Sequence, residues 1–435
     1  MARALKPGIR VNIRGRSVKL RGLRRAPTGL FAWLAILEPG VISSAAGDDA
    51  GGIATNSTIG AQFGYELLWV LLILTVSLAV VQEMAARLGA ATGRGLLDLV
   101  RERYGIGWAL LAIAAILLAN GRIVVSEFAG IAAAAELFGL SRFIAVPLSA
   151  AVIWFLMLYG SYSRVERLFL VMTLVFLTYP VAAILAHPDW GQVAHGAFVP
   201  SLRGDPQYLL LIVAMVGTTV TPYQQLFQQS AIVERRVPRR HYGSERADAY
   251  TGALFGNLIW AFIIIATGAS LHVAGVTSIS TAADAAEALR PIAGQFAGEL
   301  FAVGLLGASL LAASVVPVAT AYSVSEAFGF RKGVSLIYRR APIFYGLFTV
   351  LVLFGSAVAL VPAIPLVPLL VGVQVLNGLL LPVTLLFILL LANDRALMGE
   401  LRNGRVYNVL GWGTFVLVTV ADVVLLATQA LGLSS

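Results

Sequence analysis

The chain has no cysteine, which excludes disulfides, thiolate metal sites and cysteine nucleophiles. Histidine is nearly as scarce: His187, His195, His241 and His272 are the only four, and all fall at or beyond the ends of hydrophobic runs. That argues against an imidazole-rich zinc site in the apolar body. Charge is thin as well, at 12% of 435 residues against 59% hydrophobic, with a mean hydropathy of +0.86. A soluble domain of this length needs more charge on its surface and shorter apolar runs. No Walker-type phosphate loop, soluble catalytic domain or nucleophile constellation is present, so the sequence does not read as an enzyme. It implies no bound cofactor, and nothing in it asks for an obligatory protein partner.

What the sequence has instead is length in its apolar runs, where crossing a bilayer takes about 20 mostly apolar residues as helix. Eleven such segments can be read, at roughly 29–62, 66–88, 107–138, 143–160, 167–186, 207–233, 249–272, 296–328, 342–361, 364–392 and 407–431. The expected class is therefore an all-α polytopic membrane protein. Basic residues give its orientation. With the N-terminus in the cytoplasm, 27 of the 31 Lys and Arg fall on the cytoplasmic side, only Arg142, Arg203 and Arg290 fall opposite, and Arg122 lies inside the third segment. The C-terminus is then outside. Residues 1–28, with nine Lys or Arg, read as a basic cytoplasmic tail near anionic lipid rather than a nucleic-acid arm. Residues 29–435 read as one transmembrane domain in an inner membrane.

Segments one and six carry the unusual chemistry. The centre of the first holds Gly47, Asp48, Asp49, Ala50, Gly51 and Gly52. A carboxylate at a membrane-helix centre costs about 2.5–3.5 kcal/mol even on the lenient insertion scale, and each glycine disfavours continuous helix by about 1 kcal/mol. Both effects favour unwound backbone lining a wet cavity. In segment six, Gly217 and Pro222 bracket Thr218, Thr219 and Thr221, followed by Gln224, Gln225, Gln228 and Gln229. Pro222 has no N–H and disfavours helix at Thr221, so carbonyls near Thr218 need another partner. A cation or its water shell would serve. Breaks at corresponding places in two groups of five segments point to an inverted-repeat transporter with a midplane site. Repeat one is then about 29–186, repeat two about 207–392, with 407–431 an extra helix.

At these residues the chain resembles the NRAMP family of divalent-metal transporters. The family's first-helix motif DPGN, with a following Ala-Thr, is matched by Asp49-Ala50-Gly51-Gly52 and Ala54-Thr55. The stretches FGYELLWVLL, AARLGAATGRGL and NDRALMGELRNGRVYNVLGW are also similar to the family, and its sixth-helix motif MPHN falls on Thr221-Pro222-Tyr223-Gln224. The resemblance implies a LeuT-like 5+5 inverted repeat with 11 transmembrane helices, helices 1 and 6 broken. It places the metal ligands at Asp49, Gly52, Thr221 and the Thr218 carbonyl. Two of these depart from the pattern: the family's asparagine is Gly52, and its methionine thioether is the Thr221 hydroxyl.

Thioethers favour softer transition metals, whereas oxygen donors suit Mg²⁺, Ca²⁺ and Mn²⁺. Losing two ligand side chains is expected to widen the site, leaving Asp49, Asp48, Thr218, Thr221 and Gln224 to cradle a largely hydrated ion. Magnesium, which gives up water reluctantly, fits that expectation, as does resemblance to the NRAMP-related magnesium transporter branch. The main expectation is thus a Mg²⁺ transporter, also accepting Mn²⁺, working by alternating access in the bilayer.

The sixth-helix histidines of the family correspond to Tyr223 and Gln228, and one of two helix-three acids to Val124, leaving Glu127. Uncoupled, potential-driven uptake is expected from these losses; Arg122, five residues before Glu127, is not quite on the same helix face, so its spacing is not ideal for a direct ion pair. Gln374 and Asn377 either bond to water around the ion or join helices. Asp48 is either a carboxylate behind the ion or a cap for the broken helix. Glu83, Glu326 and Asp422 are assigned structural roles, the first two by snorkelling or loop contacts and the third by facing protein or water rather than lipid. The rival readings are a proton-coupled Mn²⁺/Fe²⁺ importer and, lower, an amino-acid or organic-cation transporter on the same scaffold.

Overall fold

The computed structural model describes residues 9–13, 16–20, 47–159, 174–235, 239, 242–279, 281–290, 294–334, 336–361 and 366–430. By contacts the chain separates into two units, Met1–Glu38 and Pro39–Ser435. The first holds something the sequence reading did not anticipate. Ile9–Ile13 (β1) and Arg16–Leu20 (β2) pair antiparallel, Val11 opposite Val18. Alternating β-branched and basic residues suit a two-stranded ribbon.

Among its described residues the second unit is helical. Its elements are α1 (Ala50–Phe63), α2 (Leu68–Thr92), α3 (Leu96–Tyr104), α4 (Ile106–Leu137), α5 (Arg142–Tyr159), α6 (Thr178–Leu185) and α7 (Trp190–Phe198). There follow α8 (Pro206–Thr219), α9 (Pro222–Arg235), α10 (Tyr242–Thr267), α11 (Ala282–Ala286), α12 (Ala297–Phe328), α13 (Pro342–Ala359), α14 (Leu366–Asn393), α15 (Arg395–Met398) and α16 (Arg405–Ala430). The apolar segments expected from the sequence broadly coincide with these, except that 29–46 and the first part of segment five, 167–173, lie outside the described residues and that helix in segment seven begins earlier, at Tyr242. Among the described residues, eight helical stretches are long and apolar enough to cross a membrane, and Arg142–Leu158 is a shorter apolar helix.

The outward faces are apolar. Leu72, Ile73 and Val76 on α2, Ile144 and Leu148 on α5, Val350 and Leu353 on α13, and Val416 and Val420 on α16 are exposed. A soluble protein would hide such a belt; a bilayer is its solvent. Polar side chains run the other way, with Asp49, Asn56, Gln82, Glu127, Gln228, Gln374 and Asn377 all buried.

Buried charge is handled by pairing. Glu83 meets Arg87 at 3.3 Å, and Arg87 also donates to Asn403 Oδ1 at 2.5 Å. Glu326 accepts from Ser230 at 3.0 Å and lies 3.4 Å from Lys332, which reaches Asp98 at 2.6 Å. Both acids have the structural role expected: Glu326 contacts Lys332 of the following loop and Ser230 of α9, and Glu83 is buried rather than snorkelling, paired with Arg87 of its own helix. Asp422 sits on the inward stripe of α16 with Gly411, Thr414, Val418 and Leu425, facing protein as expected.

The interrupted helices are held by close helix–helix contact. α8 packs along α14, and α1 is held between α10 and α14. Gly378 of α14 shows how tight this is: a Cβ there would lie 2.6 Å from the Val213 carbonyl oxygen of α8. Gly372, on the same helix, has nothing within 4 Å. Gly378→Leu is therefore expected to destabilise the protein by about 1–3 kcal/mol through overpacking, read as a lower midpoint of thermal unfolding in detergent, while Gly372→Leu leaves that midpoint unchanged.

Candidate metal site at the two helix breaks

Both breaks expected from the sequence are present. Helix is interrupted at Asp48 and Asp49, and α1 begins at Ala50. Asp49 is extended, with φ −82° and ψ 171°, and its Oδ1 accepts the Gly52 N–H at 2.6 Å. Asp49, not Asp48, is therefore the capping residue of the broken helix. The second break falls at Val220 and Thr221, between α8 and α9. In a continuous helix the Thr218 carbonyl would accept the N–H of residue 222, which is a proline and has none.

Around Asp49 the side chains interlock. Gln374 Nε2 donates to both carboxylate oxygens, at 3.1 and 3.2 Å. Asn377 Nδ2 in turn donates to Gln374 Oε1 at 2.9 Å. Glu127 Oε2 accepts the Ala50 N–H at 3.3 Å, and its Oε1 accepts the Ser126 hydroxyl at 3.2 Å. Two carboxylates thus take up free N–H groups in the first turn of α1, where an anion is favoured. Tyr223 lies within electrostatic reach of Asp48, Asp49 and Glu127, and the Gln224 amide lies against Gly47.

Of the residues singled out in the sequence, Asp48, Asp49, Gly52, Thr218, Tyr223, Gln224, Glu127, Gln374 and Asn377 are gathered here, and Thr221 is in the second break itself. Gln228 stands further along α9, fully buried, with neither amide atom paired among the described residues. Arg122 does not join. It is exposed while Glu127 is fully buried, and no ion pair links them among the described residues. Five residues of helix turn the two side chains to different faces.

The expected widening is also absent. A Cβ on Gly52 would lie 2.5 Å from Thr218 Oγ1 and 2.6 Å from Cζ2 and Cη2 of Trp260. The volume an asparagine would take is filled from α10 by an indole that is only 2% exposed. Sequence reasoning missed Trp260, because a tryptophan in an apolar helix carries no signal beyond its hydrophobicity. Gly51 is similarly closed off by the Gln374 amide.

The pocket is sealed and rich in oxygen. Asp49, Thr218, Thr221 and Gln374 have no exposed surface. Thr218 Oγ1 and Asn377 Oδ1 have no hydrogen-bond partner among the described residues. No group of three or more His, Asp or Glu converges as a ready-made cage among the described residues, so a metal ion here would depend on neutral oxygens beside Asp49.

The model of the Nramp family, described as natural resistance-associated macrophage protein-like, matches residues 40–428. The chain belongs to the Nramp family. A divalent metal cation transporter MntH of Deinococcus radiodurans is 32% identical over 418 residues, covering 92% of this chain and 91% of that protein. The fold is that of a manganese transporter of Eremococcus coleocola, with a TM-score of 0.73 over 93% of this chain and 89% of that one at 22% identity. The nucleobase-cation-symport-1 transporter Mhp1 is a more distant likeness, TM-score 0.55 at 15% identity, covering 91% of this chain and 90% of that one. The chain is thus a multi-pass membrane transporter of divalent metals in the Nramp family, with a LeuT-like fold, and is not an enzyme.

The cap geometry generates a test. Glu127→Ala leaves the Ala50 N–H without its buried acceptor and is expected to cost about 1–3 kcal/mol. Glu127→Gln, which keeps a carbonyl oxygen, is expected to recover part of that loss. Thermal unfolding of the purified protein in detergent compares the two.

Proposed function

We propose that the protein imports Mn²⁺ through the pocket at Asp49, with the N-terminus in the cytoplasm, the C-terminus outside and alternating access between the two sides. One observation carries the choice of ion: the pocket is closed around Gly52 by Thr218 and Trp260, leaving no space there for shell water. A largely hydrated Mg²⁺, the ion expected from the sequence, needs that space, since magnesium keeps several of its waters. Oxygen donors suit Mn²⁺ equally well, and the relatives whose names specify a metal are manganese transporters. Asp49 is the anchor, with the Thr218 carbonyl and hydroxyl and the Thr221 oxygens completing one side. Rotation of the Gln374 amide would present its oxygen in place of its N–H groups.

Proton coupling belongs to the same proposal. With no histidine in the pocket, the buried carboxyl groups able to take up a proton as metal is released are Asp48, Asp49 and Glu127, the last two meeting at the start of α1. A second reading, uncoupled Mg²⁺ uptake, is favoured by the absence of a sulfur donor and of imidazoles at Tyr223 and Gln228. The positive-inside distribution of Lys and Arg supports the orientation.

Flux into proteoliposomes separates these readings. Mn²⁺ entry is expected to persist in an excess of Mg²⁺, to acidify the lumen reported by a trapped pH dye, and to fall to the level of empty liposomes in Asp49→Ala. Mg²⁺ entry without acidification would establish the second reading instead. Full Mn²⁺ flux in Asp49→Ala would remove the pocket from the pathway.

A further inference from the structure

We propose that Trp260 sets the ion selectivity of this pocket by excluding hydration water. Its indole occupies the volume beside Gly52 and Thr218, so only an ion that sheds water on that side can be held. The inference rests on the reading of Asp49 as the ion site and adds a residue of α10 to it. Three observations carry it.

Gly52 has its amide on the Asp49 carboxylate, at 2.6 Å, so what stands against Gly52 stands at the edge of the ion site. The atoms there are the Thr218 hydroxyl and the ring carbons Cζ2 and Cη2 of Trp260, reached at 2.5 and 2.6 Å by a Cβ built on Gly52. Finally, the Thr218 hydroxyl is fully buried and has no partner among the described residues. It is an oxygen that no donor or acceptor of those residues claims, left for an ion or for water around it.

These ring carbons offer no lone pair, so they cannot replace a water that the ion gives up. The indole therefore makes a dry stretch of wall beside the Thr218 hydroxyl, and the oxygen ligands must come from Asp49, Thr218 and Thr221 around it. Such an arrangement penalises the ion with the more tightly held shell. Magnesium is that ion, since it demands near-ideal octahedral geometry and dehydrates reluctantly. Removing the indole opens a space bordered by the Thr218 hydroxyl, in which shell water can be kept.

The test is the ratio of Mn²⁺ to Mg²⁺ flux in proteoliposomes holding the full-length protein, measured with trapped metal-sensitive dyes. Trp260→Ala is expected to lower that ratio about tenfold or more, the usual scale for reshaping an apolar wall, and Trp260→Phe to lower it by less. A role in packing alone would reduce thermal stability and total flux while leaving the ratio unchanged, and that result would overturn the proposal. Should Trp260→Ala fail to fold, Trp260→Phe decides: an unaltered ratio in that folded variant overturns the proposal as well. Asp49→Ala separates the two levels. If it transports normally, the site itself is misplaced; if it is inactive while both Trp260 variants keep the wild-type ratio, only the role of Trp260 is wrong.

Discussion

A helix interrupted inside a bilayer has no water to receive its freed peptide groups, so the protein must supply every partner. The arrangement around Asp49 follows from that constraint. The start of α1 has surplus N–H groups, and Asp49 and Glu127 answer two of them, at Gly52 and Ala50. The end of α8 has the opposite surplus, since Pro222 offers no N–H to the Thr218 carbonyl. One break collects carboxylates and the other exposes carbonyl oxygen at the partially negative end of a helix. Brought together by the packing of α1 and α8 on α14, they make a region whose field favours a cation before any ligand geometry is considered.

The parts of this that were legible in the sequence are those governed by local chemistry. Apolar length located the spans, because a bilayer imposes nearly the same requirement on each. Gly, Asp and Pro located the breaks, because their backbone and desolvation costs act within a few residues of themselves. The remainder depends on which surfaces meet. That Glu127 takes the Ala50 N–H requires α4 to pass beside the start of α1, which periodicity does not disclose. The choice of Asp49 over Asp48 as the cap turns on one backbone conformation. The five-residue spacing of Arg122 and Glu127 already put them off a common face, and Arg122 is exposed while Glu127 is buried. Pairing of β1 with β2 in the basic tail was hidden behind its charge, which dominated the reading of that stretch.

Gly52 shows the difference most sharply. In sequence, a glycine where an asparagine is expected reads as lost volume and a lost donor. Only the donor is lost. Interiors pack at crystal-like density, so space vacated on one helix is taken up from the next, and here the indole of Trp260 takes it. A small residue on α1 and a large one on α10 form a complementary pair, as facing positions do in any well-filled core. If Asp49 anchors the ion as proposed, oxygen donors would remove a preference for soft metals and the indole would remove room for a hydrated hard one.

The hydrogen-bond inventory leads to the same place from another direction. Buried acceptors without donors cost about 1–3 kcal/mol each, and the pocket keeps the Thr218 hydroxyl and Asn377 Oδ1 in that condition among the described residues. Asp49 is better provided, with Gly52 on one oxygen and Gln374 across both. The Gln374 contact is the exchangeable one, because turning that amide converts a donor to the carboxylate into a further acceptor. The Gly52 contact is not, because it belongs to the start of α1. A cation beside Asp49 would therefore displace a side chain rather than unwind a helix, and would supply the positive charge that these acceptors lack.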